Sequence, residues 1–303
     1  MDNRSCMSQL PTHNGEHIIH AVVSVSGGMD SAACLYYAVR QFGAQNILAV
    51  SFVYGQKHDR EIEAARDICR KLNVEHDIRD ITDLYRDCVS SLLKQSKEEI
   101  EQGKAYSEIE GVPSTYVPVR NKVFADLLCL SGLAHGYADG PNSWAGKPLV
   151  IIMGMHADDA GAAYPDCTPE FAMAENEALQ QASDGLVYLH TPLINMKKAD
   201  VAQFGIQFGM SRDDFDSTWS CYLGGKKQCG KCPTCIDRIH ALIDAGLYDT
   251  PEMLMERYDV TRDEARALFN GHIVVDAGKP VNLYGHVVEK APDYELRSRD
   301  NAD

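Results

Sequence analysis

From Ile18 onward the chain alternates short apolar runs with amphipathic ones, and this alternation limits the possible folds more than any other feature. "IIHAVVSVSGG" (18–28) reads as a strand buried on both faces and ending in a turn. "DSAACLYYAVRQFG" follows as a helix stopped at Gly43. "NILAVSFVYG" (46–55) is a second strand, and "VEHDIRDIT" a third. Between them "DREIEAARDICRKLN" is a helix with Ile62, Ala65, Ile68 and Cys69 on one face. Units at this spacing build a doubly wound, mostly parallel α/β sheet that takes ligands at the carboxyl ends of its strands. Farther on, "NKVFADLLCLSGLAHGYA" reads as an apolar helix, "ADGPNSWAGK" as a surface turn and "PLVIIMGM" as a buried strand. "AMAENEALQQAS" and "KKADVAQFGIQFG" read as helices. The polar stretch 94–114 reads as a mobile loop or lid outside the core. "TRDEARALFNG" is a last amphipathic helix with capping-box spacing from Thr261 to Glu264 and a terminal Gly271. Beyond about Gly278 core-forming periodicity runs out and the end reads as a frayed tail.

The turn after the first strand is Ser-Gly-Gly-Met-Asp-Ser, residues 26–31. A Gly-Gly step lets backbone N–H groups converge into an anion nest, and a helix beginning near Asp30 adds its positive end. Ser26 and Ser31 bring hydroxyl donors. Neither G-x-x-x-x-G-K-[ST] nor G-x-G-x-x-G is present, and a plain strand-to-helix turn stays open as the alternative. A second cluster is formed by Cys221, Cys229, Cys232 and Cys235, spaced C-x7-C-x2-C-x2-C, with Gly224, Gly225 and Gly230 free to curl the backbone. Such spacing suits tetrahedral zinc with Zn–S of about 2.3 Å, and four thiolates leave no position for a reacting water, so the metal would be structural. An iron–sulfur cluster or a redox pair are the alternatives. Cys6, Cys34, Cys69, Cys88, Cys129 and Cys167 are scattered and read as small packed hydrophobes.

Ser51, Tyr54, Gln56 and His58 follow the second strand, Arg120 and Asn121 open a helix, and Asp158, Asp159, Tyr164 and Asp166 follow the strand ending at Met155. A guanidinium can take a carboxylate or phosphate bidentately, and an Asp accepts the paired N–H donors of a guanine-like ring. Singly, each reads equally well as a solvated loop group, and His58 as a satisfied histidine. The formal net charge of −15 repels a polyphosphate backbone, which speaks against a nucleic-acid partner. No apolar run approaches the ~18 residues of a membrane span, and the first dozen residues lack a signal-peptide core, so the expectation is a cytoplasmic chain.

The six-residue turn resembles the pyrophosphate loop (PP-loop) of the N-type ATP pyrophosphatases. Together with "YGQKHDRE", "YVPVRN", "YPDC", "PLINMKK" ending at Lys198, "TWSCY" and "CGKCPTC", the region from Ala21 to Asp249 resembles the 7-cyano-7-deazaguanine synthase family. That resemblance implies an adenine nucleotide α-hydrolase-like domain over 18–215, a four-cysteine zinc segment over 216–249 and a partly helical extension over 250–303. It implies an ATP-dependent C–N ligase that turns 7-carboxy-7-deazaguanine and ammonia into a nitrile through adenylated acid and amide. ATP and Mg2+ would sit on Ser24, Ser26, Gly27, Gly28, Asp30 and Ser31, with Ser51, Tyr54, Gln56 and His58 alongside. Asp30, Arg120 and Lys198 would be catalytic, with Asp30 on the metal side. Arg120, Asn121, Asp158, Tyr164, Pro165 and Asp166 would hold the deazaguanine, and the four clustered cysteines the zinc. The family suggests a homo-oligomer, taken as a dimer; with no room for a glutaminase domain, ammonia is expected free from solution or from a partner. Val119 and Ala163 stand where the family usually has glycine, and the tail after Asp249 matches no common family length. These departures keep open a paralogue that joins the adenylated acid to another amine, such as a protein, and stops at the amide. A tRNA thiolase of the same superfamily conflicts with the acidic charge, and a zinc-dependent interaction module leaves the glycine turn unexplained.

Overall fold

The computed structural model describes residues 19–136, 148–156 and 164–270, together with the backbone of three short strands beyond them. Strand β1 (Ala21–Ser24) lies at the centre, and Ala21, Val22 and Val23 have no exposed surface. It pairs in parallel with β2 (Ile47–Val53) on one side and β4 (Leu149–Ile152) on the other. β3 (Glu75–Asp80) and β5 (Val187–His190) complete a parallel sheet in the order β3-β2-β1-β4-β5. The order reverses between β1 and β4. Chain segments leaving those two strands diverge there and open a crevice at the carboxyl edge.

The helices follow the apolar periodicity. Helix α1 (Met29–Phe42) ends at Gly43, whose φ of 79° suits glycine. Helix α2 (Arg60–Leu72) buries Ile62, Ala65, Ile68 and Cys69, the face its spacing predicts. Helix α3 (Arg120–Gly136) follows. Helix α4 (Pro169–Ala182) begins three residues before the apolar run, because the Thr168 hydroxyl accepts from the Phe171 N–H at 3.1 Å and Pro169 takes the first position. α5 (Lys198–Gln207), α6 (Arg212–Ser217), α7 (Pro233–Asp244), α8 (Pro251–Arg257) and α9 (Arg262–Asn270) complete the set. The capping box of α9 forms as its spacing predicts: Thr261 N–H donates to Glu264 Oε2 at 2.8 Å, and Glu264 N–H to Thr261 Oγ1 at 3.3 Å. Among the described residues no helix is long and apolar enough to cross a membrane.

Two expectations need correction, and one helix had not been expected. The stretch 94–114 is a loop, but part of it belongs to the core: Ile100 and Tyr106 are buried. Gly103 N–H donates to the Lys231 carbonyl at 2.7 Å. Its charged majority hides the few apolar anchors that pin it. Helix α7 begins inside the cysteine cluster, with Pro233 at its first turn and Ile239, Leu242 and Ile243 buried; each such side chain contributes about 1.5–3 kcal/mol. On the same helix Arg238 is fully buried, donating to Tyr258 Oη at 3.0 Å, to Thr218 Oγ1 at 2.6 Å and to the Phe215 carbonyl. Finally, the tail forms strands where a frayed end was expected. β6 (Ile273–Asp276) pairs antiparallel with β7 (Lys279–Asn282) and parallel with β8 (Arg297–Ser298). Runs of four and two residues are too short for alternation to be read. The expected surface turn over 138–147, Gly271, Asp158, Asp159 and Ala163 lie outside the described residues.

Candidate active site

The glycine turn sits at the end of β1, where the crevice opens. Gly27 has a φ of 92°, and a methyl group there would stand 2.0 Å from the Glu61 carbonyl oxygen and 2.8 Å from Ala65 N. Only glycine fits both the angle and the contact. The turn is stitched internally: Gly28 N–H donates to Ser26 Oγ at 3.2 Å, Ser26 N–H to Ser31 Oγ at 3.2 Å, and Ser31 Oγ–H to the Gly28 carbonyl at 3.0 Å. No side chain caps the first turn of α1, which leaves its N–H groups without a side-chain partner, as an anion-binding helix start requires.

Asp30, in that first turn, meets Lys198 from the start of α5 and His156 from the segment after β4. Lys198 Nζ donates to Asp30 Oδ2 at 2.5 Å and lies 3.2 Å from His156 Nε2. Burial alone would raise the Asp30 carboxyl, but the charge of Lys198, with His156 and the more distant Arg238, holds it below the usual carboxylate range. Its other oxygen, Oδ1, is buried without a hydrogen-bond partner. A lone, ionised hard oxygen beside the glycine turn fits a magnesium ion.

Arg120 lines the facing wall. Its guanidinium lies 5.6 Å from the Tyr54 ring centroid and 5.8 Å from that of Phe124, with Nη1 3.4 Å from Tyr54 Oη. Nε is buried and unpartnered, leaving a donor for an anionic substrate. Burial opposes the charge, yet Tyr54, Tyr222 and Asp166 around it keep the group firmly protonated. Three phenols form a chain across the crevice: Tyr106 to Tyr222 at 2.9 Å, Tyr164 to Tyr106 at 3.3 Å, and Tyr164 to Thr115 Oγ1 at 2.5 Å. Glu61, at the start of α2, lines the same crevice.

The structure brings Ser24, Ser26, Gly28, Asp30, Ser31, Tyr54, Gln56, Arg120, Asn121, Tyr164, Asp166 and Lys198 to this one crevice. Others depart from the expectation. Ser51 is buried, with its hydroxyl on the Val25 carbonyl and 2.7 Å from His76 Nε2. Side chains alternate along β2, so Phe52 and Tyr54 face the crevice and Ser51 cannot. His58 is not among the lining residues; its ring packs against Gly224 and Trp219 and braces the cysteine segment. Pro165 is likewise absent from the lining and opens a short turn (Pro165–Cys167). Gln56 is spent on its own turn, accepting from Tyr54 N–H at 2.8 Å and donating to the Phe52 carbonyl at 3.3 Å. Asn121 and Asp166 brace each other: Asn121 N–H donates to Asp166 Oδ2 at 2.9 Å, and Asn121 Nδ2 to the Asp166 carbonyl at 3.1 Å. The sequence reading gave no site role to His156, Tyr106, Tyr222 or Glu61, although Glu61 closes the YGQKHDRE segment and Tyr222 the TWSCY segment that carry the resemblance. His156 and Glu61 carried a signal, since each lies in a segment that leaves the carboxyl edge of the sheet, and Tyr222 carried one through its motif; Tyr106 carried none.

The four cysteines converge, with their sulfur atoms all within 4.8 Å of one another, and could hold one metal ion. Backbone donors approach the sulfurs: Cys229 N–H to Cys221 Sγ at 3.3 Å, Cys232 N–H to Cys229 Sγ at 3.2 Å. Such bonds favour thiolates, and an all-thiolate set of this size fits zinc. Gly224, Gly225 and Gly230 have φ of 70°, 106° and 69°, the curl expected of them. Thr234 and Asp237, on the helix this cluster launches, line the crevice, so the cysteine segment forms one of its walls.

Residues 20–246 match the family model described as "Queuosine biosynthesis protein QueC". The 7-cyano-7-deazaguanine synthase of Caldicellulosiruptor saccharolyticus is 37% identical over 78% of this chain and 97% of its own length. The protein of that name from Hahella chejuensis is 36% identical over 79% and 92%, and that from Methanoregula boonei 37% over 77% and 98%. Among solved structures, the NMN synthetase of Francisella tularensis is 16% identical with a TM-score of 0.39, covering 84% of this chain and 85% of that one.

Proposed function

The chain belongs to the QueC family of queuosine biosynthesis proteins, and from that membership we propose that it makes 7-cyano-7-deazaguanine from 7-carboxy-7-deazaguanine, ammonia and ATP. The observation that carries the reading is the Asp30–Lys198–His156 cluster directly beneath the glycine turn, facing Arg120 across the crevice. Converting an acid to a nitrile removes two waters, and oxygen leaves each time only after activation. The α1 N-terminus and the Ser26 and Ser31 hydroxyls are suited to the β- and γ-phosphates of ATP, placing the α-phosphate toward the facing wall. Arg120 offers its free Nε–H to the substrate carboxylate, and the tyrosine wall offers ring faces to a flat heterocycle. Lys198 holds Asp30 ionised and adds positive charge where the pyrophosphate departs.

Asp30 would hold magnesium, which supplies charge neutralisation at the leaving group when bound. Cys221, Cys229, Cys232 and Cys235 would hold zinc in a structural role. Ammonia then takes the place of AMP to give the amide, and a second adenylation makes the amide oxygen a leaving group. The relatives reported above all carry the name of the nitrile-forming enzyme, so the amide-stopping alternative gains no support. A cytoplasmic setting, free ammonia and a homodimer belong to the same proposal. Purified protein incubated with the acid, ATP, Mg2+ and ammonium, followed by mass spectrometry, tests it. A nitrile with AMP and pyrophosphate is the expected product; an amide that never loses its second water overturns the reading.

A further inference from the structure

We propose that Glu61 is the general base that removes the last N–H proton when the adenylated amide collapses to the nitrile. The assignment rests on the reading above and deepens it. In the activated amide, carbon carries an =N–H and an O–AMP group. The N–H bond breaks with its proton passing to Glu61, the electron pair becomes the third C–N bond, and the C–O bond breaks with its pair leaving on AMP. The products are nitrile, AMP and a protonated carboxyl that returns its proton to solvent. No oxidant or reductant is involved.

Three observations single out Glu61. It lines the crevice, in the first turn of α2, and its own backbone carbonyl is the surface on which Gly27 rests, so it is fixed relative to the phosphate turn. Among the described residues its carboxylate makes no hydrogen bond and no ion pair, unlike the other carboxylates that line the crevice, Asp30, Asp166 and Asp237, each of which is already engaged. Burial pushes the carboxyl up to about 7, against the pull of Arg120. A base poised there accepts a proton at neutral pH and gives it back. The groups that bear on Glu61 from its surroundings are Arg120 on α3 and Tyr54 beyond β2. Asp30 on α1 is paired with Lys198, His76 on β3 with Ser51, and Asp214 on α6 with Lys71.

The test compares the full-length enzyme with Glu61→Gln from two starting points: the acid with ammonium and ATP, and the isolated amide with ATP. Glu61→Gln is expected to form amide from the acid within about threefold of the unaltered rate, while nitrile formation from the amide falls roughly 10²–10⁴-fold. Glu61→Asp recovers part of the second step, and it carries the comparison if the glutamine variant does not fold. With the unaltered enzyme, amide-to-nitrile conversion rises with pH up to about 7 and then levels, a rise that Glu61→Gln lacks. Equal losses in both steps, no loss in either, or a persistent pH rise in Glu61→Gln overturns the assignment. If the unaltered enzyme makes no nitrile from either start, the functional reading fails, and this one with it.

Discussion

Replacing Val119 by glycine should make the protein more stable, although it removes a hydrophobic side chain. Val119 has a φ of 52°, in the left-handed region where a β-branched residue is a genuine outlier. The conformation costs about 1–2 kcal/mol for a residue with a Cβ. Its side chain is 56% exposed, so little packing is forfeited. Against this gain, glycine makes the unfolded chain more flexible, at a cost of roughly 0.4–1 kcal/mol. The balance favours Val119→Gly by about 0.5–1 kcal/mol, read as a rise of about 1–4 °C in the thermal midpoint of a domain this size. The N–H of Val119 donates to Tyr116 Oη at 3.2 Å, a bond that glycine keeps. Val119→Ala is the control: it retains the unfavourable angle and should recover only part of the gain. Calorimetry and urea unfolding on the three proteins decide it. A glycine variant that melts at or below the parent shows that the left-handed backbone carries no net strain, and the reasoning fails.

Gly27→Ala would drive a methyl group to 2.0 Å from the Glu61 carbonyl; with the left-handed angle this costs about 3 kcal/mol or more, and calorimetry should show it together with loss of ATP binding in titration. Lys198→Met leaves Asp30 half-sheltered with only His156 beside it, which lowers stability by about 2 kcal/mol and turnover by roughly 10²–10³-fold; adding Asp30→Asn should restore the urea midpoint but not the activity. His190 is held neutral, its burial lowering the pKa to about 4. Folding therefore favours the uncharged ring, so the stability it contributes is intact above about pH 6.5 and is lost between there and about pH 4, and His190→Gln should flatten the fall in urea midpoint across that window. Elemental analysis should find one zinc per chain, and stripping it with a chelator should lower the melting midpoint and expose α7 to hydrogen exchange, because metal binding at such a site is part of the folding energy.

The switch-point architecture was legible because each βαβ unit shows two periods in succession, and the cysteine spacing was legible because thiol ligands must recur within reach of one ion. The placement of Ser51 was not, because a one-residue difference in strand register decides which face a side chain takes; the neighbours Phe52 and Tyr54 took the crevice instead. Asn121 and Asp166 were recognised as belonging together at the site, but not that they spend hydrogen bonds on each other. Tyr106 was hidden in a charged loop, and Tyr222 was quoted in its TWSCY motif without a role of its own. What unites them with Tyr164 is a hydroxyl chain joining positions 58 and 116 residues apart, which local pattern does not encode. Val119 was marked only by resemblance, and its backbone angle supplies the physical reason why glycine would suit the position.

The close approach of Gly27 to the carbonyl of Glu61 packs the glycine turn directly on α2 and makes the two one floor. Above it, the loop at Tyr106 and the cysteine segment at Tyr222 are latched to each other, through their phenols and through Gly103 and Lys231. Under the proposed reading, adjustments of the crevice to a nucleotide fall on this roof, and the floor keeps Glu61 beside the glycine turn. Substitutions in the roof should change how fast substrates arrive and depart, and those in the floor what happens to them once inside.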